Sequence, residues 1–218
     1  MSATIPKSSA ATRKKVVRRV LLTGFDPFGG EAINPSWEAV RALDGERIGR
    51  HRIVARQLPT EFARAPNVLA AAIDEVRPVL VLCVGQAGGR AQVSVERVAL
   101  NLADARIADN AGAQPVDSAL IANAPHAYFA ALPVKRVVER LNAAGIPAEV
   151  SHHAGNFVCN AVLFALCHRI AHHDPDLRGG FIHVPYLPEQ ARNHPNVPSM
   201  SLATMIEALR VSIAAALE

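Results

Sequence analysis

The sequence predicts an α/β fold, a largely parallel sheet covered by helices. Three observations carry this expectation. Apolar, β-branched runs alternate with helix-periodic segments along the whole chain. One run, "VLVLCVG" at 79–85, is continuously apolar, as a strand covered on both faces must be. The chain has 218 residues, 50% hydrophobic and 19% charged, which is enough to bury one sizeable core.

Each element has its own justification. "VVRRVLLTGF" (16–25) is the first strand. In "NPSWEAVRAL", Asn34 can cap a helix and Pro35 suits its first position, while Trp37, Val40 and Leu43 recur every third residue to make a buried face. "RIVARQLP" reads as a strand, 66–76 as a helix, and 79–85 as the buried strand, in which Cys83 serves as a small core hydrophobe. "QVSVERVALNL" alternates like one strand. Residues 103–133, rich in Ala, Asp, Asn, Gly and Pro without periodicity, read as a long loop region; a functional loop, a hairpin excursion and an oligomer contact all account for it. "VKRVVERLNAAG" is a helix stopped by Gly145, "IPAEVS" a strand, 159–173 a helix and "GGFIHVPY" the last buried strand. The closing helix turns Leu202, Met205, Ile206, Leu209 and Ile213 to one face.

Charge divides the chain in two. Lys7, Arg13, Lys14, Lys15, Arg18 and Arg19 crowd the start with no acid among them; without these six cations, 17 basic residues face 19 acidic ones. The formal charge of +4 therefore comes from the start, and the body is not basic. A transit segment and a nucleic-acid arm are both conceivable for such a stretch. No aromatic residues interleave with its charges as single-strand binding requires, so a disordered, solvated tail at 1–15 ahead of a single domain at 16–218 is the expectation, with no nucleic-acid partner. The apolar residues after the basic cluster read as a strand rather than a signal segment, and charged residues or His break every long apolar run, so neither secretion nor a membrane span is expected. Three cysteines without paired CxxC spacing fit a reducing, cytoplasmic setting.

Two cysteines lie eight residues apart in "HAGNFVCNAVLFALC". Cys159 falls in the first turn of its helix, where free backbone N–H groups and the helix dipole favour thiolate, so its pKa is expected to fall below about 8.5. Cys167 sits two turns on, beside Leu163, Leu166 and Ile170, where burial makes a thiol inert. A thiol nucleophile needs a base. His183 ends a buried strand that breaks into Pro185 and Pro188, and parallel sheets place active sites at such carboxyl ends. His168, His172 and His173 suit a solvated helix end, and His152 and His153 are weaker bases on a turn. Glu96, in an alternating strand, is either an exposed face residue or a buried charge with a partner; strand pattern alone favours exposure. Gly85, Gly88 and Gly89 could form an anion-binding nest, although "VGQAGGR" matches neither phosphate-loop nor dinucleotide spacing.

The stretches "LLTGFDPFGGEAINPSWEAV", "CVGQAGGRAQVSVERVALNLADARIADN", "AGNFVCN" and "GGFIHVPYLPEQ", in this order, resemble the pyroglutamyl peptidase I (pyrrolidone-carboxylate peptidase) family, and the likeness runs from about residue 20 to the final helix. The resemblance implies a three-layer α/β/α sandwich with a mixed, largely parallel central sheet. It implies a cysteine peptidase that removes an N-terminal pyroglutamyl residue from peptides through a Glu96, Cys159, His183 triad and a thioester acyl-enzyme, with no metal or organic cofactor and a homotetrameric assembly. Phe25, Phe28 and Phe157 align with the family's ring-contacting phenylalanines, and Asn34 and Gln86 with polar residues near the ligand. The Cys159 amide and donors within 86–90 are the expected oxyanion partners. Arg106 and Ile107 align with segments near the pocket or subunit contacts. The sequence departs from the family pattern at Ala108, often proline, and at Asn156, often threonine; neither belongs to the triad. The competing expectation is a non-catalytic α/β module that binds a small molecule or phosphate through the Gly-rich turn 85–90.

Overall fold

Residues 18–218 are described by the computed structural model; the expected tail at 1–15, and Val16 and Val17 of the first predicted strand, lie outside the described residues. In chain order the elements are β1 (Arg18–Phe25), α1 (Pro35–Ala42), β2 (Arg47–Ile48), β3 (His51–Leu58), α2 (Ala65–Val76), β4 (Leu80–Gln86), β5 (Val93–Glu96), β6 (Val98–Leu100), β7 (Ala127–Phe129), α3 (Val134–Ala143), β8 (Ala148–Ser151), α4 (Val158–His172), β9 (Arg178–Val184), α5 (Pro188–Ala191) and α6 (Leu202–Leu217). Seven strands form one sheet in the order β2-β3-β1-β4-β9-β5-β8. β1 pairs in parallel with β3 and β4, as do β4 with β9 and β5 with β8; β2 with β3 and β5 with β9 are antiparallel.

Successive strand residues point to opposite faces, and both faces here are covered. In β1, Val20 and Leu22 enter the core shared with α1, α3 and α6, whereas Leu21 and Phe25 enter the core shared with α2 and α4. β4 divides likewise, Leu80, Leu82 and Val84 against Val81 and Cys83. This is why the strand is continuously apolar, and it makes the molecule a three-layer α/β/α sandwich. The expected caps are present: the Asn34 side chain accepts from the Ser36 N–H at 3.1 Å ahead of α1, and Gly145 follows α3 at φ +75°, a stop that strains other residues.

The structure departs from the sequence reading in the middle of the chain. The alternating stretch 92–102 is not one strand. β5 stays in the main sheet and ends at Glu96; β6 leaves after Arg97 to pair antiparallel with β7 in a separate two-stranded ribbon. Arg97 is the pivot, its N–H donating to the Ser151 carbonyl at 2.8 Å while its own carbonyl accepts from the Ala130 N–H at 2.9 Å. Residues 103–133 are therefore a hairpin excursion rather than a plain loop. Side chains hold its irregular backbone: Asp109 accepts from the N–H groups of Phe62, Ala111 and Ala113 at 2.8–3.0 Å, and Asn101 exchanges two 2.9 Å bonds with Ile121. Such anchors leave no periodic trace in sequence. β2 and α5, of 2 and 4 residues, are likewise too short to have one.

Asn160 fastens the excursion to α4. Fully buried, it accepts from the Leu100 N–H at 2.9 Å and donates to the carbonyls of Leu100 and Leu102 at 2.8 and 2.9 Å. Asn160→Ala should strand these backbone groups and cost about 3 kcal/mol. The expected reading is a lower urea midpoint at unchanged slope; an unchanged midpoint would show that the excursion is held elsewhere.

Candidate active site

Parallel strands β1, β4 and β9 finish at one edge of the sheet, and the segments that follow them, 26–34, 87–92 and 185–190, gather there. His183 lies near the end of β9 at 4% exposure, in register with Gly85 of β4 and Ser94 of β5. Glu96 is two residues beyond Ser94 and so shares its face. It is fully buried, which settles the choice left open by the strand pattern in favour of a buried charge with partners. His183 Nδ1 lies 2.7 Å from Glu96 Oε1, and Arg90 Nη1 donates to the same oxygen at 2.7 Å.

These contacts fix a protonation pattern. Burial opposes the Glu96 charge, but the hydrogen bond and charge of His183, the Ser151 hydroxyl and the Arg90 guanidinium outweigh it and hold the carboxyl below its ordinary 4.5. An ionised carboxylate only accepts, so His183 donates from Nδ1, and in the neutral imidazole the lone pair lies on Nε2. Glu96 Oε2 has no hydrogen-bond partner among the described residues; the adjacent Ser151 hydroxyl directs its own bond to the His153 carbonyl at 3.1 Å.

Cys159 is the second residue of α4, whose start has no side-chain cap, so its backbone N–H is left for another acceptor. Its Sγ rests against β4: a Cβ built on Gly85 would come within 2.9 Å of that sulfur and 2.8 Å of the Phe181 ring, and Gly85 is the strand neighbour of His183. Only glycine leaves this space. The expected lowering of the Cys159 pKa is overturned. Burial first, then the Glu96 charge, push the thiol up to about 12, against the pull of Arg90 and of its own helix-start amide. One turn of helix field does not match desolvation beside an anion. Cys167 is also pushed up to about 12, chiefly by burial. Acidity does not distinguish the two cysteines; exposure, the nearness of Glu96 and packing on Gly85, the strand neighbour of His183, do.

The expected pocket residues separate into two groups. Phe28 and Phe157 are half-buried with ring centroids 6.0 Å apart, and Phe62, missed in the sequence reading, meets Phe157 edge-on at 5.3 Å. Gln86 ends β4, its Oε1 accepting from Gln190 Nε2 at 3.0 Å. Phe25 instead lies in the core at 2% exposure, its ring 6.2 Å from Phe181. Asn34, also 2% exposed, is engaged in capping α1 and in holding the Asp26 carbonyl at 2.9 Å, which places the loop that carries Phe28. Of the remaining histidines, His168 and His172 meet the Tyr128 hydroxyl at 2.9 and 3.2 Å on the far flank of α4, and His153 accepts from the Gly155 N–H at 3.2 Å within its turn. Ile107 is 46% exposed on the excursion. Two clefts of about 700 and 630 Å³ flank α2 and α4, and neither is lined by Glu96, Cys159 or His183. Among the described residues, no group of three or more His, Cys, Asp or Glu side chains is placed to hold a metal ion, and no helix is long and apolar enough to cross a membrane.

Comparison with known proteins identifies the family. A family model described as pyroglutamyl peptidase matches residues 18–218. A pyrrolidone-carboxylate peptidase of Cupriavidus necator is 60% identical over 202 residues, 92% of this chain and 94% of the relative, and one of Yersinia pestis is 55% identical over 202 residues, 93% and 94% of the two chains. The crystal structure of pyroglutamyl peptidase I from Bacillus amyloliquefaciens superposes with a TM-score of 0.89 at 50% identity, covering 91% of this chain and 96% of that one. With the family model spanning every described residue and relatives this similar, the chain belongs to the pyroglutamyl peptidase family.

Proposed function

We propose that this protein is a cysteine exopeptidase that hydrolyses the bond after an N-terminal pyroglutamyl residue, with Cys159 as nucleophile, His183 as base and Glu96 as its orienting carboxylate. The observation that carries the assignment is the buried Glu96–His183 pair at 2.7 Å, set on the strand beside the glycine against which Cys159 Sγ packs. Burial and the Glu96 charge push the thiol up, so proton transfer accompanies attack. His183 Nε2 takes the thiol proton as the sulfur bonds to the scissile carbonyl carbon. The oxyanion that forms is met by the Cys159 N–H and by donors of the turn 86–90. Arg90 is already bonded to Glu96, and the Gly88 and Gly89 N–H groups have no backbone partner among the described residues. Collapse of the adduct breaks the C–N bond, and the imidazolium protonates the leaving amine. Water, deprotonated by His183, then cleaves the thioester and restores the thiol.

The lactam ring is neutral and lacks a free α-amine, so no ion pair can anchor it. Phe28 and Phe157, buttressed by Phe62, offer it an apolar wall, and Gln86 an amide. A reducing cytoplasm suits an enzyme whose nucleophile must stay a thiol. A homo-oligomer, the tetramer implied by the family resemblance, is supported by Val116 and Phe129, 73% and 77% exposed on the excursion.

Cys159→Ser should abolish cleavage of a chromogenic pyroglutamyl amide, while Cys167→Ser keeps most of it; the opposite result would reassign the nucleophile. Gly85→Ala should lower kcat by at least about ten-fold, because the added methyl displaces the sulfur from His183, and a normal kcat would remove the packing argument. Glu96 has its folded-state carboxyl below the ordinary 4.5, so its stabilising contribution is present above that value and fades as pH falls through the lower one. Glu96→Gln should flatten the loss of thermal stability on acidification below about pH 5 and slow turnover at neutral pH. A melting profile as steep in acid as the parent's would contradict the pairing.

A further inference from the structure

The geometry points to Gln190 as a positioning residue for specificity, one that fixes which end of the Gln86 amide the substrate ring meets. This rests on Gln86 reading the lactam, as proposed above. An amide side chain can be turned over at almost no steric cost, so its direction must be set by its neighbours. For Gln190 the neighbours allow one answer. Its Oε1 accepts from the Leu187 backbone N–H at 3.1 Å, and a backbone N–H can only donate. Its Nε2 faces Gln86 Oε1 at 3.0 Å, Glu31 Oε2 at 3.1 Å and the Ile33 carbonyl at 3.3 Å, and the last two can only accept. Glu31 is kept in that role by His194, whose Nε2 lies 2.6 Å from Glu31 Oε1, and that hydrogen bond holds the carboxyl below its ordinary pKa.

With Gln190 locked, Gln86 has no freedom either. Its oxygen must face Gln190, which is 2% exposed, and its NH2 must face away. Gln86 Nε2 makes no hydrogen bond among the described residues, yet it is not one of the sealed, partnerless buried atoms, so it remains open to solvent. Gln86 thus presents a donor, and a donor reads the ring carbonyl of pyroglutamate rather than its N–H. Glu31 and Ile33 belong to the same segment as Phe28, so Gln190 also ties the apolar wall to the polar reader. The sequence "LPEQ" marks the residue, but nothing local in it announces the role.

The test is selectivity for the ring carbonyl, which a purely structural residue would not alter. Two carbocyclic anilides serve as probes: 3-oxocyclopentanecarbonyl, which keeps the carbonyl and lacks the N–H, and cyclopentanecarbonyl, which lacks both. The parent enzyme should favour the ketone in kcat/KM. Gln190→Leu should cut that preference by about ten-fold or to parity, and should raise KM for a pyroglutamyl anilide more than it lowers kcat. Gln190→Glu keeps the Leu187 bond; in an E31Q background, which removes the facing carboxylate, it should turn Gln86 over and lose the preference relative to E31Q alone. Equal melting temperatures would separate this from misfolding. If Gln86→Leu loses the preference while both Gln190 variants keep it, the role of Gln190 is overturned and Gln86 stands as the reader. If Gln86→Leu keeps it, the reading of Gln86 itself falls, and with it this inference.

Discussion

A carboxylate sealed from water at the end of β5 is the constraint on which the rest of this structure turns. An ionised group in that position is tolerated only with partners, and the chain supplies them from two directions, Arg90 from the turn after β4 and His183 from β9, with Ser151 of β8 alongside. To bring β9 and β8 to either side of Glu96, β5 has to run between them, and the strand order β9-β5-β8 is that requirement expressed as topology. The strand stops at that charge. Beyond it, at Arg97, the chain leaves the sheet for the excursion.

The same negative charge has opposite effects on its two neighbours. It holds the His183 proton on Nδ1 and frees Nε2, while it raises the Cys159 thiol further above what burial does. A resting thiolate beside Glu96 is therefore disfavoured, and a cationic imidazole between the two becomes favourable once the proton has crossed. In the proposed mechanism this arrangement favours the charge distribution of attack over that of the resting enzyme, which is where a catalyst gains rate. Gly85 makes the contact possible by leaving the sulfur no side chain to climb over.

Rigidity around Cys159, the proposed nucleophile, comes from α4 being buried on both flanks. Its residues pack on the sheet and α2 in one core, and Asn160, next to Cys159, draws the excursion against its first turn. On the substrate side the rigidity is polar. Gln190, Glu31 and His194 form a chain that ends in a ring stacked on Tyr186 at 4.7 Å, and Tyr186 in turn lies against Gly88, so the Gly-rich turn, the Phe28 segment and α5 are joined by contacts.

The layered fold was written into the one-dimensional pattern, because covering a parallel sheet on both faces forces continuous apolarity in β4 and helical periodicity between strands. Local signals also marked the start of α1, the stop after α3, the helix start at Cys159 and the strand end at His183. The roles of the phenylalanines came only through likeness to a family, and that likeness raised Glu96 from a candidate carboxylate to a triad member, since a carboxylate in an alternating strand looks exposed until the neighbouring strands are known. Three things were decided by tertiary structure alone. The break at Arg97 depends on bonds to Ser151 and Ala130, 54 and 33 positions away by number. Phe25 went to the core, 2% exposed with its ring against Phe181, because its strand carries it between the layers. The Cys159 pKa moved up rather than down because desolvation and a charge 63 positions away in the chain outweigh a helix field that sequence can locate but cannot weigh.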